Sequence, residues 1–205
     1  MKLKSLILLT ALMIGGGCSC ECEDYPNYFD VAGINADACV LAKRLGNQIE
    51  GAYRLENNEK VDYNKFLIHL TPTKTYYGKR SKTIGFSFTN SAYACKCSEE
   101  YPGWMGSIEQ LSEIKIYSDS AFNLGESPSV LLNQYFEMAG MTADTHDDFF
   151  DLGTVLSTKP ELSIFSVKLR LKAKPTGSLN HKFSIQYKLT NGESYTATTQ
   201  QIIFN

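Results

Sequence analysis

Near the C-terminus, apolar side chains occupy every second position over two long runs. Phe165, Val167, Leu169 and Leu171 alternate with Ser166, Lys168 and Arg170, and Phe183, Ile185, Tyr187 and Leu189 form a second row. A repeat of two is the repeat of an extended strand, whose side chains point to opposite faces in turn. Polar residues at the intervening positions leave one face wet, which suits an antiparallel sheet and not a parallel one buried on both sides. Phe66, Ile68 and Leu70 repeat the pattern, as do Ile84, Phe86 and Phe88, and Ile114-Lys115-Ile116-Tyr117 continues it. The expected fold is mainly β, an antiparallel β-sandwich of immunoglobulin-like type.

The last hairpin is specific enough to predict a register. A two-residue Asn-Gly turn would set Tyr187 opposite Thr196. A three-residue turn, Thr190-Asn191-Gly192 with Gly192 in the left-handed region, instead pairs Tyr187 with Tyr195 and Ile185 with Ala197, keeping apolar residues on one face. Two segments break the strand pattern. Ala38, Leu41, Ala42 and Leu45 fall at helical spacing, which allows a short helix within residues 36–48, ended by Gly46-Asn47. A helical insertion is expected around residues 127–157: Leu131, Leu132, Tyr135 and Phe136 fit one helix face after Ser127-Pro128. Thr145 and Asp148, at capping-box spacing, precede a second face of Phe149, Leu152, Val155 and Leu156.

The N-terminus specifies an address. Lys2 and Lys4 precede an apolar stretch from Leu6 to Ile14, and Gly15-Gly16-Gly17 leads to Cys18. The stretch is too short to span a bilayer and has the form of a secretory signal. A cysteine directly after small residues is the acceptor a lipoprotein-processing system needs, so residues 1–17 are read as signal peptide and Cys18 as the lipid attachment site. Cys20 and Cys22 are alternative acceptors. Residues 18–27 form the acylated cysteine and tether, and 28–205 a single domain. Glu21, Glu23 and Asp24 resemble a surface-export signal of Bacteroidota lipoproteins, which implies an outer-membrane anchor facing the cell surface.

Loss of Lys2 and Lys4 takes the formal net charge from −2 to −4, with no long basic run, which argues against nucleic acid as a partner. Cys39, Cys95 and Cys97 remain in the domain, and an oxidising compartment permits a disulfide from Cys39 to either of the others. Cys95-Lys96-Cys97 lacks both redox spacing and companion metal ligands. The run Asp144-Thr145-His146-Asp147-Asp148 offers oxygen ligands without calcium-loop spacing, and is read as helix N-terminal charge. No metal and no cofactor is expected. His69, His146 and His181 are scattered, and no Ser or Cys sits in a nucleophile elbow. His69 falls on the wet face of its strand. The loop Tyr101-Pro102-Gly103-Trp104-Met105-Gly106 contains the single tryptophan, with Tyr101 and Trp104 able to stack on a sugar or anchor a partner. Tyr76-Tyr77 is a lesser candidate of the same kind.

The run Asn90-Ser91-Ala92-Tyr93-Ala94-Cys95, then Gly106-Ser107-Ile108, Glu113-Ile114-Lys115-Ile116, Asp119, Phe122-Asn123, Leu132-Asn133 and Phe136 resembles a family of Bacteroidota lipoproteins defined by a domain of unknown function. The resemblance runs from about Tyr28 to the end and implies an envelope lipoprotein with no catalytic residue to transfer. The expected function is a non-enzymatic binding or interaction module, held at the membrane by lipid, with a glycan or an envelope protein as partner. A hydrolase assembled from loops around His146 or His69, or a structural subunit of an envelope complex, is the alternative.

Overall fold

In the computed structural model the described residues are 26–41, 52–76, 102–139, 149–158 and 166–205. The protein is mainly β and sandwich-like. Its strands are β1 (Asp30–Leu41), β2 (Ala52–Arg54), β3 (Glu59–Val61), β4 (Phe66–Thr75), β5 (Leu111–Ser118), β6 (Phe136–Ala139), β7 (Phe149–Asp151), β8 (Val167–Leu171), β9 (Asn180–His181), β10 (Phe183–Leu189), β11 (Ser194–Thr198) and β12 (Ile202–Phe204). They form a six-stranded sheet ordered β2-β1-β4-β8-β6-β7 and two three-stranded sheets, β11-β10-β5 and β3-β12-β9. Every described pairing between these strands is antiparallel except that of β12 with β3.

Within the described residues the alternating rows point where their period directs them; the row Ile84, Phe86 and Phe88, and Phe165, lie outside those residues. Val167, Leu169 and Leu171 are buried on β8, as are Phe183, Ile185, Tyr187 and Leu189 on β10. Phe66 of the large sheet meets Phe183 and Phe204 of the small ones, with ring centroids 5.6 and 5.2 Å apart, and Phe136 meets Phe183 at 5.6 Å. Such edge and tilted aromatic contacts add to the stabilisation from area burial alone. The hairpin has the three-residue turn: Gly192 has φ +93°, its N–H donates to Leu189 O, and Tyr187 faces Tyr195 with Ile185 facing Ala197.

The helix within 36–48 is not formed where the chain is described. Residues 36–41 continue β1, where Ala36 and Ala38 alternate into the core and Asp37 and Cys39 point to the other face. Ten registered pairs with β4 outweigh the helix propensity of two alanines.

The helical insertion is shorter than its spacing suggested. After Ser127-Pro128 the chain runs beside β5: Ser129 N–H donates to Ser118 O and Leu132 N–H to Ile116 O. Asn133 completes the row with its side chain, accepting from Ile116 N–H at 2.9 Å and donating to Ile114 O at 2.7 Å. One 3₁₀ turn, Asn133–Tyr135, then leads into β6. The segment closes the outer edge of β5, and this tertiary pairing wins over the local helical period. An α-helix, Leu152–Thr158, does follow, packing Leu152 and Val155 into the core. Its cap is Asp151, whose Oδ1 accepts from Gly153 and Thr154 N–H. Phe149 belongs to β7, and Thr145 lies outside the described residues.

Candidate functional site

The chain enters the domain through a short ladder. Pro26 O accepts from Gly103 N–H, Asn27 O from Met105 N–H, and Phe29 exchanges bonds with Gly106 O and Ile108 N–H, all at 2.8–3.0 Å. Phe29 is buried and forms a parallel bridge with Ser107. Gly103, at φ +72°, lets the loop turn directly over the rings of Phe29 and Tyr76, since a Cβ there would lie 2.8 and 2.9 Å from them. Tyr76 meets Phe29 edge-on at 6.4 Å, and Lys74 Nζ lies 4.6 Å from the centre of the Phe29 ring.

Around this ladder five large apolar side chains stay in water. Trp104 is 37% exposed, Met105 38%, Tyr28 and Tyr76 43% each and Ile108 60%. Three segments far apart in sequence bring them to one end of the sandwich. Of the loop pair expected to bind, Trp104 is exposed there, while Tyr101 lies outside the described residues, as does Tyr77. Tyr28 and Ile108 escaped sequence reasoning, because one resembles a strand residue and the other is a lone isoleucine. Only the ladder between residues 26–29 and 103–108 joins them to Trp104.

The same end carries acidic groups. Burial raises the Glu109 carboxyl above its ordinary range, and a hydrogen bond with Asp30 adds to the shift. Tyr195 places its hydroxyl 2.6 Å from Val31 O and 3.0 Å from Glu193 Oε2, and its pKa is pushed up to about 12, by burial first and then by Glu193.

The histidines divide. His146, with its acidic neighbours, lies outside the described residues. His69 is half-buried on the outer face of β4, between Asp37 of β1 and Lys168 of β8, and burial followed by the Lys168 charge lowers its pKa. His181 is wholly buried, with Nδ1 2.7 Å from Ser118 Oγ and Nε2 2.7 Å from Ser178 O. A carbonyl can only accept, so Nε2 carries the proton and Ser118 donates to Nδ1. This Ser-His pair has the composition of a nucleophile and base. With Ser118 only 2% exposed and both ring nitrogens occupied, it serves the core instead.

Cys39 has a free, buried thiol whose pKa is raised to about 11, chiefly by burial, and both residues that could pair with it in a disulfide fall outside the described part of the chain. Its bond, a long one, goes to Asp37 O at 3.6 Å. Cys18, Cys95 and Cys97 lie outside the described residues. An open cleft of about 410 Å³ separates β1 from β11. Asp37 is held there by Arg54 at 2.8 Å and Gln200 at 3.0 Å, and Gln200 Oε1 also accepts from Ala38 N–H. These groups tie β1 to β2 and to the segment that follows β11. Among the described residues no three His, Cys, Asp or Glu are grouped to hold a metal, and no helix is long and apolar enough to cross a membrane.

Comparison with protein-family models, with curated proteins and with solved structures finds no match to this chain.

Proposed function

We propose that the protein is a lipid-anchored lipoprotein of the cell envelope, attached through Cys18 and facing the cell surface, that acts as a non-enzymatic interaction module. The observation that carries the interaction role is the set of exposed side chains Tyr28, Tyr76, Trp104, Met105 and Ile108 around one ladder. Exposed apolar groups gathered in one place mark contact surfaces, and aromatics supply much contact area at little entropic cost. The anchor is supported by the sequence Gly15-Gly16-Gly17-Cys18 behind an apolar stretch, and the outward destination by Glu21, Glu23 and Asp24. Resemblance to Bacteroidota lipoproteins points the same way.

Two measurements test this reading. Radiolabelled fatty acid enters the wild-type protein and is lost in Cys18→Ala; label retained there moves the anchor to Cys20 or Cys22, and no label in the wild type removes it. A photoreactive side chain at position 104 cross-links in living cells to an envelope component. A yield no greater than from the same probe at exposed Lys65, at the opposite end of β4, removes the contact surface.

A further inference from the structure

We infer that the Trp104 end of the domain rests on the lipid bilayer itself, its aromatic and apolar side chains entering the headgroup region. The inference rests on the anchor at Cys18 proposed above. It names the partner of that same surface.

Chain length decides which end faces the membrane. From Cys18 to Pro26 there are eight residue steps, which reach about 29 Å at most when fully extended. The tether joins the domain within the ladder that holds the patch, where Pro26 O and Asn27 O accept from Gly103 and Met105 N–H. To present the opposite end, the tether would have to run back along the sandwich past the ten residues of β4. A strand of that length covers roughly 30 Å, which would use the whole tether before reaching a lipid. The Trp104 end is therefore the one that a membrane anchor brings to the surface.

The chemistry of that end suits the boundary it would meet. Tryptophan and tyrosine concentrate at bilayer interfaces because their rings are apolar and their N–H or O–H groups can stay in water. Met105 and Ile108 add apolar reach. Asp30 and Glu193 lie at the same end and keep the contact shallow, since carboxylates favour water over hydrocarbon. Strong affinity is not required. A short tether holds the patch at an effective concentration in the millimolar range, so a weak contact stays occupied. Resting on this end turns the exposed Leu124, beyond the far end of β5, and Leu131, beside that far end, away from the membrane.

Trp104 is the only tryptophan, so its fluorescence reports this surface alone. The acylated full-length mature protein is reconstituted into phosphatidylcholine vesicles, and flotation confirms that it is held by its anchor. The inference expects Trp104 emission to shift to the blue, lipids brominated near the headgroup to quench it, and quenching by aqueous iodide to fall several-fold relative to the soluble Cys18→Ala protein. Ile108→Glu, a change at an exposed position, should still float while Trp104 regains access to iodide. Protein that floats with Trp104 as open to iodide as in solution overturns the inference and leaves the anchor standing. Protein that does not float overturns both. Trp104 shielded by soluble glycans or by an envelope protein, and not by vesicles, overturns it in favour of that partner.

Discussion

Ser118 Oγ donates a hydrogen bond to His181 Nδ1 across 2.7 Å, joining the end of β5 to β9 within a core that excludes water from the imidazole. Ser118→Ala leaves Nδ1 buried without a donor, and the expected loss is about 1–3 kcal/mol of unfolding free energy. Urea denaturation at neutral pH measures it, and a loss below the error of the midpoint would assign the bond no structural weight.

Acid should weaken the fold through the same ring. Burial lowers the pKa of His181 against the opposing pull of Ser178 O and Asp119, and burial also lowers that of His69. An unfolded histidine titrates near about 6.5, so below that pH the unfolded chain binds protons that the native state resists. Stability is fully present above that value and falls as pH drops through it toward the native pKa values. Denaturation midpoints should decline between pH 7.5 and 5, and His181→Gln, though less stable at pH 7.5, should show a smaller decline. A flat profile in the wild type would contradict the burial of both rings.

Asn133 acts as one rung of a strand. Asn133→Ala deprives Ile116 N–H and Ile114 O of their partners together, with an expected cost of about 2–4 kcal/mol. Exchange of the Ile116 amide with deuterium should accelerate in the variant, and unchanged protection would show that another group takes the bond.

Tyr187 offers a gain. Its hydroxyl is buried without a partner among the described residues, and burial raises its pKa far above the ordinary phenol value. Tyr187→Phe removes a desolvated donor at no loss of ring packing, so stability should hold or rise by up to about 1 kcal/mol. A clear loss in thermal denaturation would reveal a hydrogen bond to water or to another group.

Two glycines separate backbone strain from collision. Gly192→Ala meets open space at φ +93° and should cost about 1–2 kcal/mol for the left-handed backbone alone. Gly103→Ala adds a Cβ against the Phe29 and Tyr76 rings, and Phe29 is fully buried, so overpacking should add about 1–3 kcal/mol. Parallel urea titrations rank the two. An equal cost would mean that the rings move aside freely.

What could be read from the chain follows the range of the forces involved. The rows on β8 and β10 and the Tyr187–Tyr195 register were legible because a two-residue period and one turn determine them locally. The start of the helix was not, since Asp151 doubles as the end of β7 and as the cap, a role that depends on where pairing with β6 stops. Residues 129–133 mimic a helix face in spacing while pairing with β5, whose partner residues lie eleven to nineteen positions away. The Ser118–His181 pair is sixty-three positions apart and carries no local mark. At the candidate surface Trp104 was visible as the single tryptophan in a glycine-rich loop. Its neighbours Tyr28 and Ile108 became visible only through the ladder that binds residues 26–29 to residues 103–108.

That ladder also determines how the domain would carry mechanical load. Pro26, Asn27 and Phe29 are fastened to residues 103–108 by four backbone hydrogen bonds, just ahead of the long pairing of β1 with β4. A pull directed along β1 from the proposed membrane tether would cross those bonds sideways, so all four would share the force and none could open alone. The shear is then passed to the ten registered pairs behind them. Drag on the body of the protein would be met first by a joint built like a lap seam, and peeling would begin elsewhere.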